Sequence, residues 1–356
     1  MRLLSIKPIC FLILFGLIYS CAVNRKTSRQ NATSIVYPMP PDTARLQFLT
    51  SFSSSEFVTG KQKGFNKLVF GEEESKIIAK PMGVKVKNGK IYICDNVLKC
   101  VLIFDLEKHK FEYFVPLGKG ALQLPLNCFI DDSDVLYVAD ASRGQVVIFD
   151  KNGNYINSFG KTKEYKPSDV VVFENKIWVA NLAGRTIDVY EKSPPNNFLY
   201  SIPNSEVTDV QKIYQPTYLA IAGNEVYVTD FGQFVVKVYS LEGEYIRTVG
   251  SYGQNLGQFV RPKGLALDRD MNLYAVDAGF ENVQIFNKSG QLLMFFGGPY
   301  KISGDMYLPS GITIDYDNLK YFEEFVDPEF RLKYIIIVTN QYGPDKVNVY
   351  GAVEPK

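Results

Sequence analysis

One phrase recurs six times along the chain, and a repeat of this kind fixes architecture before any other feature does. Proline-led apolar segments stand at Pro81 (PMGVKV), Pro125 (PLNCFI), Pro167 (PSDVVV), Pro216 (PTYLAI), Pro262 (PKGLAL) and Pro309 (PSGITI), spaced by 42 to 49 residues. A second segment follows each and ends on a short polar residue, at Asp95, Asp140, Asn181, Asp230, Asp277 and Asn340. A third set reads VLIF, VVIF, IDVY, VKVY, VQIF and VNVY, and in five of the six copies it begins six residues after that Asp or Asn. Most copies add a fourth segment behind a glycine-bearing turn, as in DKNGN before YINSFG. Glycine there takes a positive φ without a Cβ penalty and closes an antiparallel hairpin. Four short antiparallel strands per copy, rich in Val, Ile, Tyr and Phe, describe a propeller blade. Six copies predict an all-β, six-bladed β-propeller.

The two ends of the repeat region complement each other. The last copy stops after VNVYGA without a fourth segment, while RLQFLTSF (Arg45–Phe52) is a strand with no copy of its own. The N-terminal strand is therefore expected to complete the last blade, which covers open strand edges and ties the ring by main-chain hydrogen bonds. The propeller then occupies residues 44–356, with insertions at 53–79 and 315–334. On the P-x-G/D start, the L-Y-V-x-D strand and the V-x-I-F strand, the chain resembles the NHL-repeat family of β-propellers from Arg45 to Ala352. More narrowly, it is similar to the NHL-containing lipoproteins of Bacteroidetes, which carry a Pro-rich segment before the first strand, here YPMPPDTARLQFL. The resemblance implies a fold; a repeat dictated by packing implies little about a ligand.

The N-terminus reads as an export and anchoring signal. Arg2 and Lys7 precede an apolar run from Ile9 to Tyr19, too short to span a bilayer as a helix. The run ends in Ile18-Tyr19-Ser20-Cys21, which looks like a bacterial lipobox, with Tyr19 unusual in its place. That resemblance implies a signal peptide over residues 1–20, a lipid on Cys21, and a flexible tether over 21–43. Each buried CH₂ of such acyl chains contributes about 0.8 kcal/mol to membrane attachment. The polar, basic segment AVNRKTSRQNATS lacks the acidic cluster that surface-exposed lipoproteins of this type carry, so the expected location is the outer membrane, facing the periplasm.

Removing residues 1–20 takes away two cations and leaves 37 basic against 38 acidic residues, which gives no electrostatic case for nucleic acid. Beyond Cys21 the cysteines are Cys94, Cys100 and Cys128, an odd set and no disulfide framework. Cys94 and Cys100 could meet across a hairpin in an oxidising compartment; Cys94 and Cys128 otherwise read as small buried hydrophobes.

Within the repeat, the aromatic position of the second strand (Tyr92, Tyr137, Trp178, Tyr227, Tyr274, with Ile337 in the sixth copy) reads as packing between blades. Gly83, Gly264, Gly311, Ala220 and Ala266 fit the crowding near the axis. The recurrent Asp/Asn set reads as turn-stabilising, since these side chains accept hydrogen bonds from nearby turn amides. The residues just after each proline depart from the repeat. Asn127, Ser168, Asp169, Thr217, Tyr218, Lys263 and Ser310 are expected to form a polar ring at one channel mouth, with Lys80, Lys166 and Arg261 adding positive charge. This ring is the candidate binding site for a polar or anionic small molecule or a peptide end. The 53–79 insertion, with Phe57, Phe65 and Phe70, is expected on the same face as a cap over the channel. Residues 315–334 are expected on the opposite face, as a short helix stopped by Pro328. Such a helix either docks a partner or packs under the blades.

Catalysis has few residues to draw on. Some NHL propellers are zinc-dependent lyases, but one histidine, His109, cannot build a three-histidine site. A Ser-His-Asp triad would need the same residue, which a charged turn places at the rim. A weak Ca²⁺ site on Asp169 and Asn127, as in lactonase-like propellers, is the surviving enzymatic alternative. The sequence favours a lipid-anchored envelope scaffold that binds a protein, a peptide or a polar small ligand without catalysis.

Overall fold

The computed structural model describes residues 34–60, 75–160, 165–203 and 207–356, and one compact unit runs from Ile35 to Lys356. Among the described residues the chain forms six antiparallel sheets, one per copy of the repeat. The innermost strands are Pro81–Lys87, Pro125–Ile130, Pro167–Phe173, Pro216–Ala222, Pro262–Leu267 and Pro309–Asp315. Each touches the innermost strand of the blades on both sides, so the sheets close into a ring.

Six apolar clusters hold the blades face to face, one at each interface. The aromatic position of each second strand points into the interface with the following blade. Tyr137, Trp178, Tyr227 and Tyr274 fill successive interfaces, and Ile337 does the same between blades six and one. Tyr92 packs between blades one and two. Burying each of these side chains contributes about 1.5–3 kcal/mol.

Leu46–Phe52 forms the outer strand of blade six, paired with Val347–Pro355 from Leu46 opposite Ala352 to Phe52 opposite Val347. Leu46, Leu49 and Phe52 are buried there. A short strand, Val36–Tyr37, adds a fifth row, and the hydroxyls of Tyr37 and Tyr350 both donate to the Gly304 carbonyl, at 3.2 and 2.7 Å. The strand Val36–Tyr37 lies within the stretch read as tether.

The recurrent Asp/Asn residues serve as staples. Asp277 takes the amides of Val260 and Arg261, the two residues before Pro262, at 2.8 and 2.9 Å. It also takes those of Gly279 and Phe280 in the turn after it, at 2.7 and 3.3 Å. Asp95 does the same for Ala79, Lys80, Val97 and Leu98. Asp140 and Asp230 each gather three amides. In all six blades the amide after the Asp or Asn donates to the carbonyl of the residue before the proline.

The 315–334 insertion is built differently from expectation. Residues 315–334 form two single 3₁₀ turns, Leu319–Tyr321 and Glu323–Phe325, instead of a helix. Phe322 is fully buried between blades six and one. Asn318 accepts the Gly89 amide at 2.8 Å, and the Tyr316 hydroxyl accepts that of Arg269 at 3.0 Å, so the segment bridges blades one and five on the underside. Of the 53–79 insertion, Phe65 and Phe70 lie outside the described residues. Its described start, the one-turn helix Glu56–Thr59, packs against the outer strand of blade one, and Phe57 stacks on Phe52 of blade six at 4.1 Å.

Cys94, Cys100 and Cys128 are free and buried. Cys100 faces the interface of blades six and one, whereas Cys94 and Cys128 share that of blades one and two, so Cys94 and Cys100 point away from each other. Burial pushes the Cys100 thiol up to about 12, which keeps it protonated and unreactive.

Replacing a staple tests its role. Asp277→Ala should cost about 3–4 kcal/mol in urea unfolding, because four amides lose their acceptor. Asp277→Asn should cost about half as much, since Asn181 and Asn340 occupy this place in blades three and six. Equal, small losses for both would contradict the staple.

Candidate functional site

The innermost strands converge where each follows its proline, and three glycines set how closely. A Cβ on Gly83 would stand 1.9 Å from the Asn127 side-chain oxygen, one on Gly264 2.5 Å from the Ser310 carbonyl, and one on Gly311 2.4 Å from the Met82 carbonyl. Blades two, three and four carry Asn127, Asp169 and Tyr218 at this level instead.

These side chains close the channel. The Tyr218 hydroxyl reaches from blade four to the Ser310 Oγ of blade six at 2.8 Å, with both residues buried. Asp169 is 1% exposed; its two oxygens accept the Val170 amide at 2.7 Å and the Leu219 amide of the next blade at 2.8 Å. Asn127, buried beside it, adds a side-chain hydrogen bond and accepts the amide of Cys128. The Ser168 hydroxyl donates to the carbonyls of Ala180 and Pro216. Of the residues expected in the polar ring, Asn127, Ser168, Asp169, Tyr218 and Ser310 are buried. They form an internal plug with its hydrogen bonds already made.

The residues named for a Ca²⁺ site, Asp169 and Asn127, sit in this plug with their oxygens already accepting amides. A hard cation needs six to eight oxygens, and it would meet the N–H groups that Asp169 already engages. Among the described residues no group of three or more His, Cys, Asp or Glu side chains is placed to share a metal ion.

Above the plug the mouth is cationic. Thr217 and Lys263 are half-buried, and Arg261 is exposed. The Thr217 hydroxyl donates to the Thr229 carbonyl at 3.4 Å. Burial pushes the Lys263 amine down, and the charges of Arg261 and Lys80 push it further. Lys80 lies 5.3 Å above the ring of Tyr342, an aromatic that sequence reasoning passed over because blade six alone carries it. Three cations therefore converge where the notable polar residues beneath are already satisfied. His109 stands apart, exposed in the turn between the third and fourth strands of blade one.

Below the plug the channel opens into a cavity of about 370 Å³. All six blades contribute walls, among them Val171, Leu219–Ala222, Leu265 and Ile312, together with Lys85 and Lys87. This cavity lies on the side opposite the face expected to bind.

No family model matches the chain, and no curated protein matches it in sequence. Solved structures do. A Bacteroides thetaiotaomicron protein of unknown function aligns over 87% of this chain and 76% of its own, with TM-score 0.59 and 15% identity. A gluconolactonase from Xanthomonas campestris aligns over 90% and 97%, with TM-score 0.57 and 14% identity. Virginiamycin B lyase from Staphylococcus aureus aligns over 77% and 95%, with TM-score 0.52 and 13% identity. The chain is a six-bladed β-propeller. Identities this low establish the fold alone.

The plug carries a pH signature. Desolvation pushes the Asp169 carboxyl up from 3.8 to about 6, against the opposing charge of Lys85 and its own hydrogen bonds. The folded state thus holds this proton more tightly than the unfolded chain, so its contribution to stability is complete below about pH 4 and fades as pH rises through about 6. Asp169→Asn should remove a pH-dependent component on the order of 3 kcal/mol from denaturation curves between pH 3 and pH 7. An unaltered pH profile in the variant would contradict this.

Proposed function

We propose that this propeller is an NHL-type envelope lipoprotein, exported by residues 1–20 and anchored through Cys21. On this reading it faces the periplasm and acts as a non-catalytic binding or assembly scaffold. Its ligand is a polar or anionic small molecule, a peptide end, or a protein surface presenting such a group. The observation that carries this reading is the convergence of Lys80, Arg261 and Lys263 over a channel whose polar plug is already satisfied. A half-buried amine held among like charges gains from any anion that settles there. Thr217 and Tyr342 supply a hydroxyl and an aromatic rim. Catalysis at the same mouth would need an acid, a base or a metal ligand free to act. Asp169 is committed to amides, and His109 lies out on the rim. The gluconolactonase and lyase among the structural neighbours share the fold at 14% and 13% identity, which transfers no chemistry.

Two measurements test the proposal together. Small carboxylates and phosphates screened by thermal shift should include ligands that stabilise the wild type and lose their effect on the Lys80→Ala, Arg261→Ala, Lys263→Ala triple variant. Equal stabilisation of both proteins, or turnover of gluconolactone or of a streptogramin B by the wild type, would contradict it. Cys21→Ser should move the protein from the membrane to the soluble fraction; unchanged membrane association would contradict the anchor.

A further inference from the structure

The cavity beneath the plug is a blind pocket, closed above by the Tyr218–Ser310 hydrogen bond and the buried Asp169. It follows four positions of the blade-four inner strand, Leu219–Ala222, a depth of about 10 Å at the rise of an extended chain. Three features of its wall point to one kind of occupant.

First, every inner strand is terminal in its sheet and pairs on one side only. Its other edge faces the axis; at the plug Asp169 takes up the Leu219 amide, and below that level the main-chain N–H and C=O groups have no strand partner among the described residues. Second, the side chains between these edges are apolar: Val171, Leu219, Ile221, Leu265 and Ile312 lead the set. Third, the cavity holds two amines at different depths. Lys87, near the rim, is paired with Asp132 at 2.7 Å. Lys85, two residues further in and half-buried, lines the cavity and makes no hydrogen bond or ion pair among the described residues; its charge acts on the enclosed Asp169.

We infer that this pocket on the underside is a second binding site, which takes the C-terminal end of a peptide. The terminal carboxylate meets Lys85, apolar side chains lie against Val171, Leu219 and Ile312, and the peptide's amides use the free strand edges. A depth of about 10 Å admits about three extended residues. A lone aliphatic acid would satisfy the amine and the apolar walls but leave the strand edges without partners, which a buried edge tolerates poorly. The site is independent of the mouth above, from which the plug separates it.

The test is calorimetry on the detergent-solubilised full chain with the tripeptide acetyl-Val-Ala-Leu, as free acid and as C-terminal amide. The free acid should bind at least tenfold more tightly than the amide. Lys85→Met should erase that difference, and Lys85→Arg should keep it. Ala222→Trp, which fills the pocket opening, should abolish binding of both forms. The Lys80, Arg261, Lys263 triple alanine variant should leave all of this unchanged, which separates the site from the proposed function. Absence of binding by the free acid, equal binding of acid and amide, or indifference to Lys85→Met would each overturn the inference. Decanoate binding as tightly as the tripeptide with the same Lys85 dependence would overturn the assignment to a peptide.

Discussion

Each blade is set by a carboxylate or amide at the end of its second strand. That side chain collects the amides of the residues leading into the proline and those of the turn that follows, as Asp95 and Asp277 do with four apiece. The proline itself offers no N–H, so the chain can turn toward the axis there without leaving a donor unmet. A charge accepting several amides is worth more than neutral hydrogen bonds in the same place. Repeated around the ring, the staple gives every inner strand the same start, and hence the same distance from the axis. Glycines at that level in blades one, five and six then let main chains come within contact of one another.

What makes the molecule particular is the break in that symmetry. Asn127, Asp169 and Tyr218 stand where the other three blades have glycine, and they reach across the axis to fill the space the glycines leave. A channel open at both ends becomes two separate recesses. The upper one is rimmed by cations and an aromatic ring; the lower one has apolar walls and a single unengaged amine among the described residues. Burying an acid near the axis is costly, and desolvation pushes the Asp169 carboxyl up.

The ring was legible because packing and turn chemistry repeat. The proline-led strands, the aromatic position between blades and the unpaired RLQFLTSF strand each imposed a period or a vacancy that only a closed propeller satisfies. The polar ring was harder to read. Asn127, Ser168, Asp169 and Ser310 look alike whether they face water or one another, and only the three-dimensional convergence decides that they bond internally. Tyr218 gave a hint through its size at a position otherwise small. The insertion at 315–334 looked helical from Leu319, Phe322 and Phe325. Its backbone groups are instead engaged from elsewhere, since Gln47 donates to the Phe325 carbonyl and accepts the Asp327 amide. Phe322 then anchors two short turns in place of a helix.

Closure of the ring by the N-terminal strand is the claim on which both recesses rest, because neither has walls if blade six is left incomplete. Thermal melting of a chain lacking residues 44–52 tests it most directly. Loss of the Leu46–Phe52 pairing with Val347–Pro355 should lower the melting temperature by on the order of 10 °C or more and break the single cooperative transition. A truncated chain that melts at the wild-type temperature in one transition would contradict closure.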